Sequence, residues 1–250
     1  MSNLRDIPAP GGVLYKDVKR HALQALADGE WKPGEAIPSE KKLVERFGVS
    51  IGTLRKAIDE LVAENLLIRH QGRGTFVATH RRDDHFFRFF KVAHLDGHRG
   101  YPTVELESFR KIKADKSVCT LLGLEAGARA FQLTNVLSLD ERPVMIDDIV
   151  LPERLFAGLT EAQLRGRPNT LYNFYQEAFG VNVIQTEERL RSVLATEREQ
   201  ALLGVEPGAP LMRIHRVAFS YHRQPVEWRV STLNTEEHEF IVSQMPKEES

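Results

Sequence analysis

Residues 33–77 read PGEAIPSEKKLVERFGVSIGTLRKAIDELVAENLLIRHQGRGTFV. Leu43 and Phe47 share one side of a short helical segment, and Leu54, Ile58 and Leu61 repeat at the spacing of a second helix. Gly48 and Val49 make the turn between them, so the spacing predicts a helix-turn-helix. Ser39 and Ser50 each stand where a cap belongs, one residue before a helix, and leave a positive dipole end open to an anion. Two strands, Leu66 to His70 and Thr75 to Thr79, flank Gln71-Gly72-Arg73-Gly74, which makes a glycine-flanked arginine the tip of a wing. Any one of these residues by itself reads as an ordinary cap or a solvated charge. Their order carries the inference, because caps, a recognition-type helix and a basic wing follow one another as a backbone and a groove require.

Outward from this stretch, Tyr15 to Ala27 forms a helix whose Val18, Ala22 and Leu26 face the other two, and Trp31 covers the exit before the Lys32-Pro33-Gly34 turn. Arg55 and Lys56 occupy the polar side of the last helix while Leu54, Ile58 and Leu61 hold its other side against the domain. Packing thereby orients a surface for phosphates or base edges, and the sequence leaves open which of the two Arg55 contacts.

Composition sets looser limits. With 250 residues and 42% hydrophobic content the chain has room for two domains with real cores. The net charge of −1 hides an asymmetry: residues 1–82 carry 14 Lys and Arg against 10 Asp and Glu, and the remainder carries 20 against 25. A local positive face followed by an acidic half fits that distribution. The amino end lacks the apolar core of a signal peptide and no run is long enough to span a bilayer, so the expectation is a cytoplasmic protein with no membrane partner. Cys119 is the single cysteine, and its place beside Leu121 and Leu122 predicts a buried thiol.

The ordered matches Leu14-Tyr15-Lys16, Gly29-Glu30-Trp31-Lys32-Pro33-Gly34, Leu43-Val44-Glu45-Arg46-Phe47-Gly48-Val49-Ser50 and Gln71-Gly72-Arg73-Gly74-Thr75-Phe76-Val77 resemble the GntR transcription regulators, specifically their HutC branch. The resemblance implies DNA contacts from Ser39, Lys41, Ser50, Thr53, Arg55 and Arg73, with Ile51 and Gly74 beside them. The chain departs from the pattern at Ile51, where family members commonly carry Arg, and at Gly52, where a hydroxyl is common. The usual operator contact is therefore not implied at those positions.

Arg81 to Arg99 is the expected connection. It starts with a polar RRDDH and then contains Phe86, Phe87, Phe89 and Phe90, an aromatic density that predicts a partly packed linker. Stacking of bases on these rings is the competing use. Beyond it, Leu121-Leu122-Gly123-Leu124-Glu125-Ala126-Gly127-Ala128 recurs as Leu202-Leu203-Gly204-Val205-Glu206-Pro207-Gly208-Ala209. Each copy follows a predicted helix, the second with Thr196 and Glu199 as a capping box, and each precedes a hairpin. The hairpins are Phe131 to Leu139 with Pro143 to Leu151, and Leu211 to Phe219 with Pro225 to Leu233. Two related units predict one largely antiparallel sheet with helices covering a face.

Polar residues interrupt that pattern. Asn135 falls on the same strand face as Phe131, Leu133, Leu137 and Leu139, and if the face is buried it needs a partner. Arg216, Glu227 and Arg229 on one hairpin and Asp147 and Asp148 on the other either satisfy one another or orient a small polar metabolite. Gly100 to Pro102, Thr170-Leu171-Tyr172, Gly180, Glu188 and Pro225-Val226-Glu227, in that order, resemble the UTRA effector domain, whose fold is similar to that of chorismate lyase. The resemblance implies an effector site around Asn135, Asp147, Tyr172, Arg191 and Glu227. Phosphosugar-responsive members often use arginines near the positions of Asn135 and Leu137, so their absence leaves an organic acid, an amine-containing metabolite or a polyol.

No glycine-rich phosphate loop follows a strand, and His94 and His98, at helical spacing, lack a third ligand. No catalytic residue, metal or cofactor is expected. The expected fold is α/β of the α+β kind: a winged helix-turn-helix in 1–80, a linker in 81–99, and a chorismate-lyase-like antiparallel-sheet domain in 100–245. The expected function is a transcriptional regulator, a repressor, whose affinity for double-stranded operator DNA changes with a small-molecule effector. A homodimer follows from two operator half-sites. Two alternatives stay open: a structural nucleic-acid-binding protein with little operator preference, and a chorismate-lyase-like enzyme with an attached DNA-binding domain.

Overall fold

The computed structural model describes residues 14–80, 87–167 and 170–242. It divides into two compact units, residues 1–79 and 80–250.

In the first unit α1 (Leu14–Ala27), α2 (Glu40–Phe47) and α3 (Ile51–Ala63) precede the antiparallel pair β1 (Leu67–His70) and β2 (Gly74–Val77). Val18, Ala22 and Leu26 of α1, Leu43 of α2 and Leu54, Ile58 and Leu61 of α3 are buried, as their spacing requires. Trp31 is buried with them. Each such large side chain removed from water is worth about 1.5–3 kcal/mol. Gly48 ends α2 in the left-handed conformation, and its N–H reaches the Val44 carbonyl, so the chain turns at once into α3. Ser50 caps α3 by accepting the Thr53 N–H at 3.2 Å. Ser39 stands at the start of α2, but its side chain makes no capping hydrogen bond. The strands of the wing are also shorter than expected. The segment after the Lys32-Pro33-Gly34 turn lies against them: Ile37 donates to the Thr75 carbonyl and Val77 to the Glu35 carbonyl, both at 2.9 Å.

The second unit is built on one six-stranded antiparallel sheet in the order β4 (Thr103–Lys113), β5 (Arg129–Leu139), β6 (Arg142–Pro152), β9 (Pro225–Asn234), β8 (Pro210–Phe219), β7 (Gln185–Leu194). The repeated sequence maps onto it as two units, β4-α4-β5-β6 and β7-α7-β8-β9, with α4 being Lys116–Leu122 and α7 Glu197–Leu203. They meet where β6 pairs with β9. Both helices begin at a polar cap. Asp115 accepts the Val118 N–H at 2.9 Å, and the Glu199 carboxylate accepts the Thr196 N–H at 3.1 Å. Both end at a left-handed glycine, Gly123 and Gly204.

Helices cover both faces of the sheet, where the sequence predicted one. α4 and α7 pack on the side of Ala130, Ile146 and Val150. α5 (Glu161–Arg165) and α6 (Leu171–Phe179) cover the side of Phe131, Leu133, Ile149 and Leu151. A small pair, β3 (Val92–His94) with β10 (His238–Phe240), completes the unit. His94 thus ends a strand, and the helical spacing to His98 is a turn in which the His94 N–H donates to the His98 carbonyl. Cys119 is buried, its thiol directed at the carbonyls of Ala114 and Glu125. Of the aromatic segment, Phe90 is buried and Phe87 and Phe89 pack against this unit's core, while Arg81 to Phe86 lie outside the described residues.

Candidate functional site

In the first unit, the predicted contact residues lie on α2, α3 and the wing. Ser39, Lys41, Ser50, Ile51, Arg55, Arg73 and Gly74 are exposed and Thr53 is half-buried, its hydroxyl 2.9 Å from that of Ser50. Ile51 is an exposed aliphatic residue, 44% accessible, at the first turn of α3. Arg55 is engaged within the unit. Its guanidinium bonds the Glu40 carboxylate through Nε and Nη2 at 2.9–3.2 Å, and the hydrogen bond to Arg55 holds the Glu40 carboxyl below its ordinary value. Arg73 sits between Gly72 and Gly74, both at positive φ, and its N–H closes the turn onto the His70 carbonyl at 3.0 Å. Those conformations suit glycine and bring the arginine to the tip.

In the second unit, the covered sheet face that carries Phe131, Leu133 and Ile149 also carries polar residues, and a cavity of about 490 Å³ opens on it. That volume suits a small metabolite. Adjacent strands set the floor. Asn135 on β5 lies opposite Asp147 on β6, Asp147 opposite Ser231 on β9, and in the neighbouring row Arg229 lies opposite Arg216 on β8. Period-two alternation puts Glu227, Arg229 and Ser231 on one side of β9.

These groups saturate each other. Arg229 bonds Asp147 through Nη1 at 2.8 Å and Glu227 through Nε and Nη2 at 2.9 and 3.0 Å. Glu227, fully buried, also accepts from the hydroxyls of Tyr172 at 2.9 Å and Tyr175 at 2.8 Å, both on α6. Ser231 donates to Asp147. Arg216 and Lys91 share Glu188 at 2.7–2.8 Å, and Arg216 also reaches the Phe89 carbonyl at 2.9 Å. Burial opposes the charge on Arg229, yet the carboxylates of Glu227 and Asp147 drive its pKa well above the ordinary value. Burial and the Glu227 charge raise both tyrosines, which stay neutral donors.

Of the five residues expected at this site, Asn135, Asp147 and Tyr172 line the cavity. Glu227 stands behind it, fixing Tyr172 and Arg229. Arg191 is elsewhere: it is exposed on the edge strand β7 and does not line the cavity. Arginines the resemblance did not supply take that place, namely Arg216 and Arg229 on the floor and Arg165 and Arg167 at the end of α5 and just beyond it. The Glu-x-Arg-x-Ser alternation of residues 227–231 is a sequence signal for Arg229, and Arg216 is a polar interruption of the other strand of that hairpin. The other two follow a short helix with no periodic signature.

Two features are unfinished. Asn135 is 2% accessible and its Oδ1 has no hydrogen-bond partner. Arg167 lines the same cavity and, among the described residues, donates only to the Leu164 carbonyl, with burial pulling its pKa down. Among the described residues no cluster of three or more His, Cys, Asp or Glu is placed to hold a metal ion, and no helix is long and apolar enough to cross a membrane.

A winged helix-turn-helix and a separate sheet domain with a metabolite-sized, polar-floored cavity define a one-component regulator class, in which one chain contacts DNA and senses a small molecule. Residues 14–77 match the model of the bacterial regulatory proteins of the gntR family, and residues 98–239 match the UTRA domain. The chain belongs to this family and is a ligand-modulated, DNA-binding transcriptional regulator. A probable fructoselysine utilization operon transcriptional repressor of Escherichia coli K12 is 30% identical over 86% of this chain and 87% of its own. The histidine utilization repressor of Pseudomonas putida is 30% identical over 88% and 86%. Among solved structures, a ligand-binding domain ascribed to a GntR-family regulator of Bordetella bronchiseptica superposes with a TM-score of 0.59 at 30% identity, covering 62% of this chain and 96% of that one.

Proposed function

We propose that the protein is a transcriptional repressor that binds a palindromic operator as a homodimer and changes its operator affinity when a small metabolite fills the cavity on the β5-β6-β9-β8 face. The observation that carries this reading is the unpartnered amide oxygen of Asn135 beside a saturated ion network: the floor's charges satisfy one another, and one buried polar atom on it still lacks a partner. Asn135, Asp147 and Tyr172 would touch the effector, with Glu227 positioning Tyr172. On the DNA side, Lys41, Ser50, Thr53 and Arg55 approach one groove wall, Ile51 a base, and Ser39, Arg73 and Gly74 the backbone or the minor groove. Identity to the histidine utilization repressors supports the HutC branch. We assign residues 1–80 to DNA binding, 81–99 to the linker and 100–245 to sensing and dimerisation, and a DNA partner supports a cytoplasmic location.

Two reading heads separated by about one helical turn, roughly 34 Å, require two copies. The effector can shift operator affinity only if it binds the DNA-ready and DNA-incompetent states unequally. Metabolites that bind the full chain are to be titrated into an operator-binding assay at fixed salt. Release of the operator is the expected result; tight binding with unchanged operator affinity at saturation would overturn the proposal, as would a stable DNA-competent monomer.

A further inference from the structure

The charged groups of the cavity pair with one another almost throughout, and the cation left without a carboxylate contact identifies what the cavity is built to hold. Lys91, Arg216 and Arg229 are answered by Glu188, Asp147 and Glu227, three cations against three carboxylates, every pair in direct contact. At the rim, Arg165 is held by Glu161 at 2.7 Å and by the Leu106 carbonyl at 2.9 Å, and Glu105 is exposed to solvent. Arg167 is left over. Among the described residues no carboxylate contacts it; its one hydrogen bond goes to the Leu164 carbonyl, and the nearby Arg229 cation adds repulsion to the cost of burial. A half-buried guanidinium that lines a cavity with no carboxylate in contact is open to an anion supplied from outside. The second unfinished group, the Asn135 amide, lines the same cavity at 2% exposure with its oxygen unpaired. Phe89, Phe90, Leu137 and Met145 supply apolar wall.

We propose that the effector is a monocarboxylate: its carboxylate pairs with Arg167, a neutral donor such as a hydroxyl or amide N–H bonds Asn135, and its carbon skeleton lies on the aromatic wall. One unpaired guanidinium matches one carboxylate. A phosphate monoester would carry more negative charge than this single cation answers, and an amine would be repelled by it. Arg167 rather than Arg216 or Arg229 is the anion anchor, because the latter two are already committed to internal carboxylates and freeing them would strand buried charge. This assignment rests on the reading of the cavity as the effector site.

The test uses the full-length protein and two skeletons in several charge forms: gluconate, gluconamide, glucosamine and sorbitol 6-phosphate, and hippurate with its amide. Binding is followed by calorimetry at millimolar ligand, and operator affinity is read in parallel. The expected result is that the carboxylates bind in preference to their amides by roughly tenfold to a hundredfold, the range of a charge-assisted pair. Arg167→Gln should erase that preference and Arg167→Lys keep part of it, while Asn135→Ala should weaken acids and amides alike. The inference is overturned if the amide, amine or phosphate forms bind as well as the acids, if Arg167→Gln binds the acids normally, or if neither acid binds. Should Arg167→Gln fail to fold, the wild-type preference between each acid and its amide still decides. Acids that bind through Arg167 without moving operator affinity would leave this inference standing and remove the regulatory reading. A neutral compound that releases operator without Arg167 would do the reverse.

Discussion

The two units handle arginine in opposite ways. In the first, Arg55 with Glu40 and Arg46 with Glu30 are ion pairs on the surface, both partners wet. In the second, Arg216 and Arg229 are buried against Glu188, Asp147 and Glu227. Exposed pairs contribute little to stability and exchange partners easily, so the Glu40 contact leaves Arg55 able to take another anion. Buried networks tolerate no such exchange, since removing one partner strands the others in a poor solvent. One unit thus presents charge for use outside the protein, and the other uses charge to fix a rigid floor under a cavity.

The largest effect should come from breaking the buried side of this contrast. Arg229→Met leaves Asp147 and Glu227 without their shared cation, and a stability loss of about 3–5 kcal/mol is expected in urea unfolding. A loss too small to measure would mean that the network is surface-like after all, and the contrast between the units would collapse. On the exposed side, Arg55→Ala and Arg73→Ala should leave the unfolding curve unchanged and weaken operator binding about tenfold or more at fixed salt. Arg55 should affect discrimination between operator and unrelated duplex more than Arg73 does, if it reaches a base. Unfolding of either variant would show that these arginines are structural.

How far each unit was legible follows from the same contrast. The wing and its helices are local in sequence, so caps, turns and apolar spacing between residues 33 and 77 reported them directly. The repeat at Leu121 and Leu202 likewise announced two hairpins, and Asn135 stood out as a polar residue in an apolar register. What the sequence did not carry was tertiary: which strand of one hairpin pairs with which of the other, and that helices lie on both faces. Arg191 and Arg167 show the cost. Each stands two residues from another arginine, Arg189 and Arg165, and only the path of the chain puts Arg191 on an exposed edge strand and Arg167 in the cavity wall. The four-residue interval of His94 and His98 is not a helix for a related reason, because a strand end and a tight turn can place two residues at that interval as well.

Acid sharpens the comparison more gently. Burial pushes the Glu188 carboxyl up, but the charges of Arg216 and Lys91 outweigh it and the folded pKa lies below the ordinary 4.5. A depressed folded pKa means that the stabilisation is complete above about 4.5 and is lost as the pH falls through the folded value. Wild type should therefore be more stable than Glu188→Gln at neutral pH, and the gap should close on the acid side of 4.5. A gap that stays constant through that range would assign the stabilisation to packing instead of charge.

The smallest effect is expected at Ile51, and its value lies in what kind of effect it is. Ile51 is exposed at the start of α3 and carries no charge, so it adds nothing to phosphate attraction, and truncating it removes no buried surface from the core. If α3 enters a major groove amino end first, a branched aliphatic side chain there can meet only apolar surface, and the thymine methyl is the apolar feature that groove offers. Ile51→Ala should leave the unfolding curve, the salt dependence of binding and the affinity for unrelated duplex as they are. It should lower only the preference for the operator over a copy in which thymines at the contacted steps are replaced by uracil. The double comparison isolates the contact: on the uracil operator wild type and Ile51→Ala should bind alike. If the variant instead weakens binding to every duplex equally, Ile51 shapes the helix rather than reading a base, and the sequence preference of this unit must come from its exposed arginines and hydroxyls.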